Sequence, residues 1–555
     1  MKRRALLQGA AVVGGVNLLG CEPSTPQVTG EFVGPSVERG HALRSAQVIQ
    51  PPSSFHKAQV LVLGGGVAGI AALRNLHARG IDAALLELEA SVGGNARGHS
   101  LGGDGLSPML CPIGAHYLPV PDAGAPLVQA LLVDLGLATF QAGRFALTQV
   151  GEGHLCHSPQ ERVWHNGFWH DGLLPLADAN GHTPPATLAQ VQRFAGLVEA
   201  QRSTGRFVLP VLGAQAKSFD AGLDGTTFAQ WLNQHAITDP TLLQYLDYCC
   251  RDDFGAGVTV VSAWAGLHYF ASRHGFAAPG GTSESAGVLT WPQGNAWLVE
   301  AMAKPLAAHI HTGLLVARVS ESKSGVEVDA TDASGQVQRW QAPQAVLALP
   351  LRVAARVLNN PPQALVNLAK AQTYSAWVVS NLLLAEPLET AHTHGGAQPA
   401  WDNVVFGSDS LGYVDASHQH IAASPNSAGP RVLTHYRALG AGAAAAKAAL
   451  DAPWTHWRDT ILAELQEPHP DLSRKLRRVS VTRYGHAMAV PVPGTTRSVH
   501  NGSLAQLATS GISPRLAYAH GDLAGYSVFE EAYTAGAMLG SRLKLASTTS
   551  ATRAA

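Results

Sequence analysis

The sequence predicts an α/β protein organised around a Rossmann-like β-α-β unit, joined to a larger α+β body. Two observations carry that class. Residues Gln59 to Gly98, QVLVLGGGVAGIAALRNLHARGIDAALLELEASVGGNARG, set an apolar run, a G-x-G-x-x-G turn and a helical repeat one after another, the order expected of a dinucleotide-binding unit. Residues 125 to 284 then lose this alternation, showing helical stretches such as Ala125 to Leu135 and Thr227 to His235 among aromatic-rich segments, and a strand-and-helix pattern resumes at Thr290.

Each part of the first unit has a physical reason. Val60 to Leu63 is the first strand. Gly64 makes the turn, Gly66 lets the backbone approach a pyrophosphate, and Gly69 lets the helix pack on the strand. Val67 and Ala68 open the helix, whose free N–H groups suit phosphate oxygens. Gly80 stands where the helix should stop. The second strand, Ala83 to Leu86, ends on Glu87, 18 positions after Gly69, about where an acid should hydrogen-bond an adenosine ribose.

The continuation from Glu87 through Gly93, Gly94, Asn95, Ala96 and Arg97 resembles the flavin-containing amine oxidase family, which carries an E-A-x-x-x-x-G-G-R type segment after the second strand. In that family the segment wraps the pyrophosphate of FAD. Asn95 stands where the family usually has arginine and Leu88 where it often has alanine, so Arg97 is expected to supply the missing cation. The resemblance extends to Met109–Pro121 (MLCPIGAHYLPVP), where Gly114, Ala115, His116 and Tyr117 match a segment lying against the isoalloxazine ring. It extends also to TWPQGNAWLVEAMAKPL from Thr290, and to a strand whose Val316 matches the valine that holds the adenine through its backbone. Near the C-terminus, Gly521-Asp522 and a helix beginning near Val528 and Phe529 match the segment facing the flavin.

The resemblance thus implies one FAD-binding domain assembled from residues 58–130, 285–360 and 475–545, with a substrate domain from 131–284 and 361–474. It implies FAD held without a covalent bond, since Gly502 to Phe529 contains no cysteine. Within the substrate domain, Trp401 to His420 reads as a hairpin turning near Ser408 to Gly412.

Residues 1–21 read as an export segment. Lys2, Arg3 and Arg4 precede an apolar stretch ending in Leu18-Leu19-Gly20-Cys21, which resembles a twin-arginine signal with a lipoprotein cleavage box. The expected location is exported, either periplasmic or anchored to a membrane through lipid on Cys21. Residues 22–57, rich in Pro, Ser, Thr and Gly, read as a tether, and 546–555 as a tail. The chain carries 38 basic and 39 acidic residues with no basic stripe, which argues against a nucleic-acid partner. Its five cysteines form no disulfide framework, no spacing of Cys and His suggests a metal, and adjacent Cys249 and Cys250 read as buried thiols.

The resemblance implies hydride removal from the α-carbon of a small-molecule amine, a polyamine among the candidates, with the electron acceptor left open. Tyr484, His486 and Tyr526 are the expected substrate contacts. Arg356, five residues before Pro361-Pro362, holds the offset of a lysine that in many amine oxidases bridges through water to flavin N5. Arg251, Asp252 and Asp253 read as a salt-bridged or solvated turn. Two rivals stand beside this reading: an FAD-dependent desaturase of an isoprenoid-like compound, and a flavin-binding electron-transfer partner without a small substrate of its own.

Overall fold

The computed structural model describes residues 28–45, 50–103, 105–156, 160–177, 182–213, 220–273, 275–279, 287–390, 397–415 and 429–545. The export segment and Cys21 lie outside the described residues. The region expected to be a tether is structured over much of its length. Thr29–Val33 (β1) and Val37–Ala42 (α1) are regular elements, and Ser54–Lys57 is a further strand. The composition is that of a linker, but β1 satisfies its backbone groups against a strand 449 positions later, pairing Thr29 with Arg478 through to Val33 with Thr482. Local composition carries no trace of such a distant partner.

The first glycine unit folds as its pattern requires. Val60–Leu63 (β2), Val67–Ala78 (α2) and Ala83–Leu86 (β3) are strand, helix and strand, and both strands are buried at every position. They belong to a five-stranded parallel sheet ordered Ile310–His311, β3, β2, Gln344–Leu347 and Leu516–Tyr518. Strands buried on both faces read as unbroken apolar runs, as VLVL and AALL do. The C-terminal helix Phe529–Arg542 lies against α2. A Cβ at Gly536 would collide with Ala68 O and one at Gly540 with Ala72 O, so these two glycines allow the helices to approach backbone to backbone. A four-stranded sheet, Leu315–Glu321, Val326–Thr331, Val337–Ala342 and Ser54–Lys57, packs beside the parallel one.

The second body is built on an eight-stranded sheet whose centre is Tyr374–Leu384 (β4), Arg431–Ala441 (β5) and Leu476–Ala489 (β6). β4 pairs antiparallel with both neighbours and is buried at all of its positions. β6 falls within the segment 475–545 assigned from sequence to the cofactor domain, and that boundary moves: the chain returns to the parallel sheet only after β6. The helix Gln363–Ala371 moves the other way, burying Leu365 and Ala369 in the core beneath the parallel sheet. Asp402–Val405 and Tyr413–Asp415 pair antiparallel as the first part of the expected hairpin, and residues 416–420 lie outside the described residues.

The helix Pro240–Phe254 covers one end of this sheet. Asp239 caps it by accepting from Leu242 N–H at 3.0 Å, proline occupies its first position, and Gly255 ends it in the left-handed region at φ 70°. A Cβ at Gly255 would collide with Ser375 Oγ, so the helix stops directly against β4. Its last turn, carrying Asp252 and Asp253, is thereby fixed over the sheet. Among the described residues no helix is long and apolar enough to cross a membrane.

Candidate active site

A cavity of about 490 Å³ runs from the first glycine turn to the eight-stranded sheet. Its near end is made by Gly64, Gly65, Gly66, Val67 and Ala68, with Glu87, Gly93 and Gly94 beside them. Gly64 holds φ 104°, and a Cβ at Gly69 would collide with Gly64 O. Gly66 differs from both, since a Cβ there would meet nothing within 4 Å. The space in front of it is the opening in which a diphosphate would lie, facing the first N–H groups of α2. Gly93 N–H donates to Gly65 O at 2.7 Å, locking the second glycine pair onto the first motif.

Glu87 is buried, and burial raises its carboxyl above the ordinary value. Its Oε2 accepts from Gly65 N–H at 2.6 Å and its Oε1 from Glu89 N–H at 2.8 Å. Each oxygen keeps a lone pair for a further donor. Leu314, Leu315 and Val316 line the cavity beside it, Leu314 N–H donating to Glu87 O at 2.8 Å. Arg97 corrects the sequence reading: it does not line the cavity. After the short turn Gly94–Ala96 the backbone is extended, and the guanidinium turns to Glu89 at 3.5 Å and to Gly94 O at 3.3 Å. Asn95, at the position where the family has arginine, lines the cavity itself and donates to Ala487 O at 2.6 Å.

The far end is aromatic. Gly114, Ala115, His116 and Tyr117 line it, and His116 stacks on Tyr436 with ring centroids 4.5 Å apart. Burial drives the His116 imidazole down to about 3, so the ring is neutral at any working pH. Tyr484 donates to Ile113 O at 2.7 Å and Tyr436 to Gly114 O at 3.0 Å, pinning this segment from two strands of the sheet. His486 lines the cavity and stacks on Tyr374, whose hydroxyl donates to Asp522. Asp522 also accepts from Leu351 N–H at 2.9 Å and lies beside His520. Burial pulls its carboxyl up, but His520, Tyr374 and the Leu351 N–H outweigh that, leaving it below the ordinary range. Gly521, Asp522, Val528 and Phe529 all line the cavity.

One expected substrate contact, Tyr526, and the residue expected near flavin N5, Arg356, lie elsewhere. Tyr526 follows the left-handed Gly525 and is turned inward, fully buried against Phe254 and His268, with its hydroxyl donating to Glu531 Oε1 at 2.5 Å. Arg356 is on the outer face of the helix Leu351–Val357, whose Leu351, Ala354 and Val357 point into the core. It is exposed and donates to Leu43 O at 2.7 Å instead of lining the cavity. The Pro-Pro offset set its place along the chain, but the helix phase sets the direction.

The sequence reading also missed a charged wall. Asp252, Asp253, Arg273 and Glu530 line the same end as Tyr117. Arg273 pairs with Asp253 at 2.9 Å, and Arg251 with Asp247 at 3.0 Å, so part of the expected salt bridging is present on a helix instead of a turn. Asp253 Oδ2 and Arg273 Nε are buried without a partner among the described residues. Burial, and after it Asp253, pushes the Asp252 carboxyl up to about 7, and burial raises Glu530. Acids in the last turn of a helix oppose its dipole. That misplacement, in YLDYCCRDDF, is the one signal by which sequence could have singled them out.

The family model of flavin-containing amine oxidoreductases matches residues 67–486. Among solved structures, the chain is similar to wild-type putrescine oxidase bound to putrescine, at TM-score 0.62 and 16% identity, covering 88% of this chain and 98% of that one. It is similar also to cyclohexylamine oxidase from Brevibacterium oxydans IH-35A, at TM-score 0.59 and 16% identity over 87% and 98%. A fatty acid isomerase from P. acnes matches at TM-score 0.58 and 13% identity over 87% and 98%. No curated protein matches the chain in sequence.

Proposed function

The chain belongs to the flavin-containing amine oxidoreductase family, and from that premise we propose that it is an FAD-dependent oxidoreductase acting on a cationic amine. The observation that carries the reading is the wall of Asp252, Asp253 and Glu530 with a single guanidinium, Arg273, facing an aromatic face of His116, Tyr436 and Tyr484 in one cavity. An excess of carboxylates in a place shielded from water favours a positively charged ligand. The aromatic faces suit the apolar part of such a molecule and add cation–π attraction.

Gly64 to Ala68 would hold the diphosphate of FAD, Glu87 the adenosine ribose, Val316 the adenine, and Gly521, Asp522, Val528 and Phe529 the other half. The open space before Gly66 and the unfilled acceptor capacity of Glu87 fit that group. Bound there, FAD supplies the hydride acceptor. The chain supplies the rest. An amine arrives as an ammonium, whose lone pair is tied up by a proton, so the proton must leave before a C–H bond beside nitrogen can give up hydride. His116, held neutral at about 3, cannot take it near neutral pH; Asp252, at about 7, can. Tyr436 and Tyr484 fix the Ile113–Gly114 backbone and so the height of the aromatic face.

We propose, in addition, that the protein is exported, either periplasmic or anchored to a membrane through lipid on Cys21, on the strength of the Arg3-Arg4 pair and the Leu18-Leu19-Gly20-Cys21 box. The test of the main reading is anaerobic bleaching of the purified yellow protein by monoamines, diamines, polyamines and amino acids. Bleaching by a cationic amine supports it. Bleaching by none of them, with turnover of an unsaturated lipid or isoprenoid, replaces it with the desaturase reading.

A further inference from the structure

The N-terminal arm crosses the cavity. Gly40 and Leu43, at the end of α1, line it together with Glu87 and Leu314–Val316. Arg39 donates to three carbonyls around that end: Leu88 O at 2.9 Å, Gly313 O at 2.8 Å and Thr331 O at 3.1 Å. Ser36 N–H donates to Glu89 Oε1 at 2.9 Å. On the far side Arg356 donates to Leu43 O, and His41 and Arg44 come near enough to His486 to interact with it electrostatically. The arm therefore spans from the Glu87 end of the cavity toward His486.

It is attached to both bodies. β1 adds a parallel edge strand to β6, Glu31 pairs with Arg478 at 2.6 Å, and Arg483 lies 3.6 Å over the Phe32 ring. Yet α1 buries no residue. A segment held by polar contacts and one edge-strand ladder, with Leu43 only partly buried against the core, opens at far less free energy than the whole fold.

We propose that residues 29–45 are a clasp that retains the cofactor, closing over the adenosine end of bound FAD, with Arg39 as its latch. Arg39 is a positioning residue: it holds no cofactor atom itself but ties Gly40 and Leu43 over the cavity. Arg356, expected near the flavin ring, acts instead as the second fastening, through Leu43 O. The clasp rests on the FAD cofactor alone and not on the amine substrate. FAD then enters before the arm docks and leaves only when it lifts.

The test is the rate of FAD release from the holoenzyme, followed by flavin fluorescence after dilution, in the wild type, Arg39→Ala and Arg356→Ala. Amide hydrogen exchange over residues 29–43 in wild-type holo and apo protein needs no variant. The expected results are release about tenfold faster or more in Arg39→Ala, from the loss of charge-assisted hydrogen bonds, a smaller increase in Arg356→Ala, and slower exchange in the arm when FAD is bound. Release within twofold of the wild type in Arg39→Ala, or an arm equally protected with and without FAD, would overturn the proposal.

Discussion

Gly65 N–H donates to Glu87 Oε2 across 2.6 Å, so the turn that receives the phosphates and the acid at the end of the second strand are one hydrogen-bonded unit. Glu89, two residues on, is turned outward from this unit to Arg97 and to the N–H of Ser36.

Glu87→Ala is therefore expected to weaken FAD binding far more than Glu89→Ala. Loss of a charge-assisted hydrogen bond to the ribose should cost roughly 1.5 to 3 kcal/mol. Titration of apoprotein with FAD measures both dissociation constants, and equal losses would show the acid to be wrongly assigned.

Asp252 should appear in the pH profile. Its carboxyl must be ionised to accept a proton, so turnover should rise as pH increases through about 7. Asp252→Asn should remove that limb and lower kcat by about a hundredfold or more, in the range of a lost general base. A profile unchanged by the substitution would exclude Asp252 as the proton acceptor.

Tyr526→Phe separates packing from catalysis. Its hydroxyl is one of three donors to the buried carboxylate of Glu531, with Val211 N–H at 2.5 Å and Leu212 N–H at 3.1 Å. Deleting it should destabilise the fold by about 1 to 3 kcal/mol while kcat/KM stays unchanged. Thermal unfolding and steady-state kinetics on one preparation decide the matter.

Stability should also fall in acid through Glu464. Burial raises its carboxyl, but His435, Ser410 and Arg437 together outweigh burial and hold it down at about 2, from 4.5 in the unfolded chain. A depressed carboxyl stabilises the fold above the unfolded value, and that stabilisation is lost as pH falls from about 4.5 towards 2. Glu464→Gln should show a flatter loss of denaturation midpoint across this window than the wild type.

What the sequence made legible was local. The turn at Gly64, the close packing at Gly69 and the acid at Glu87 are set by neighbours within one β-α-β unit, and spacing alone located them. Direction and distant pairing were not legible. Arg356 and Tyr526 sit where the offsets put them along the chain, but helix phase turns one to solvent and the left-handed Gly525 turns the other into the core. β1 looks like linker because its pairing with β6 begins only at Arg478, and Asp252 looks like surface because only the tertiary fold covers the last turn of its helix.

Oxygen reactivity is the last consequence of where Arg356 lies. In many members of the family a lysine near flavin N5 holds the water implicated in the reaction with oxygen. Arg356 cannot replace it, since its guanidinium is outside the cavity on Leu43 O, and no lysine is among the described residues that line the cavity. Among the described residues, then, the wall presents no compact ammonium, and arginine would not reproduce one in any case. Reduced enzyme should therefore react slowly with oxygen and faster with an added quinone or dye. Arg356→Met should leave both rates unchanged while loosening the arm, so that its effect falls on retention of the flavin and not on its reoxidation. Stopped-flow mixing of the reduced protein with oxygen, and separately with a quinone, measures each rate. Rapid oxygen reoxidation in the wild type would show that a cationic group is not required here, and a rate altered by Arg356→Met would put that residue back beside the flavin.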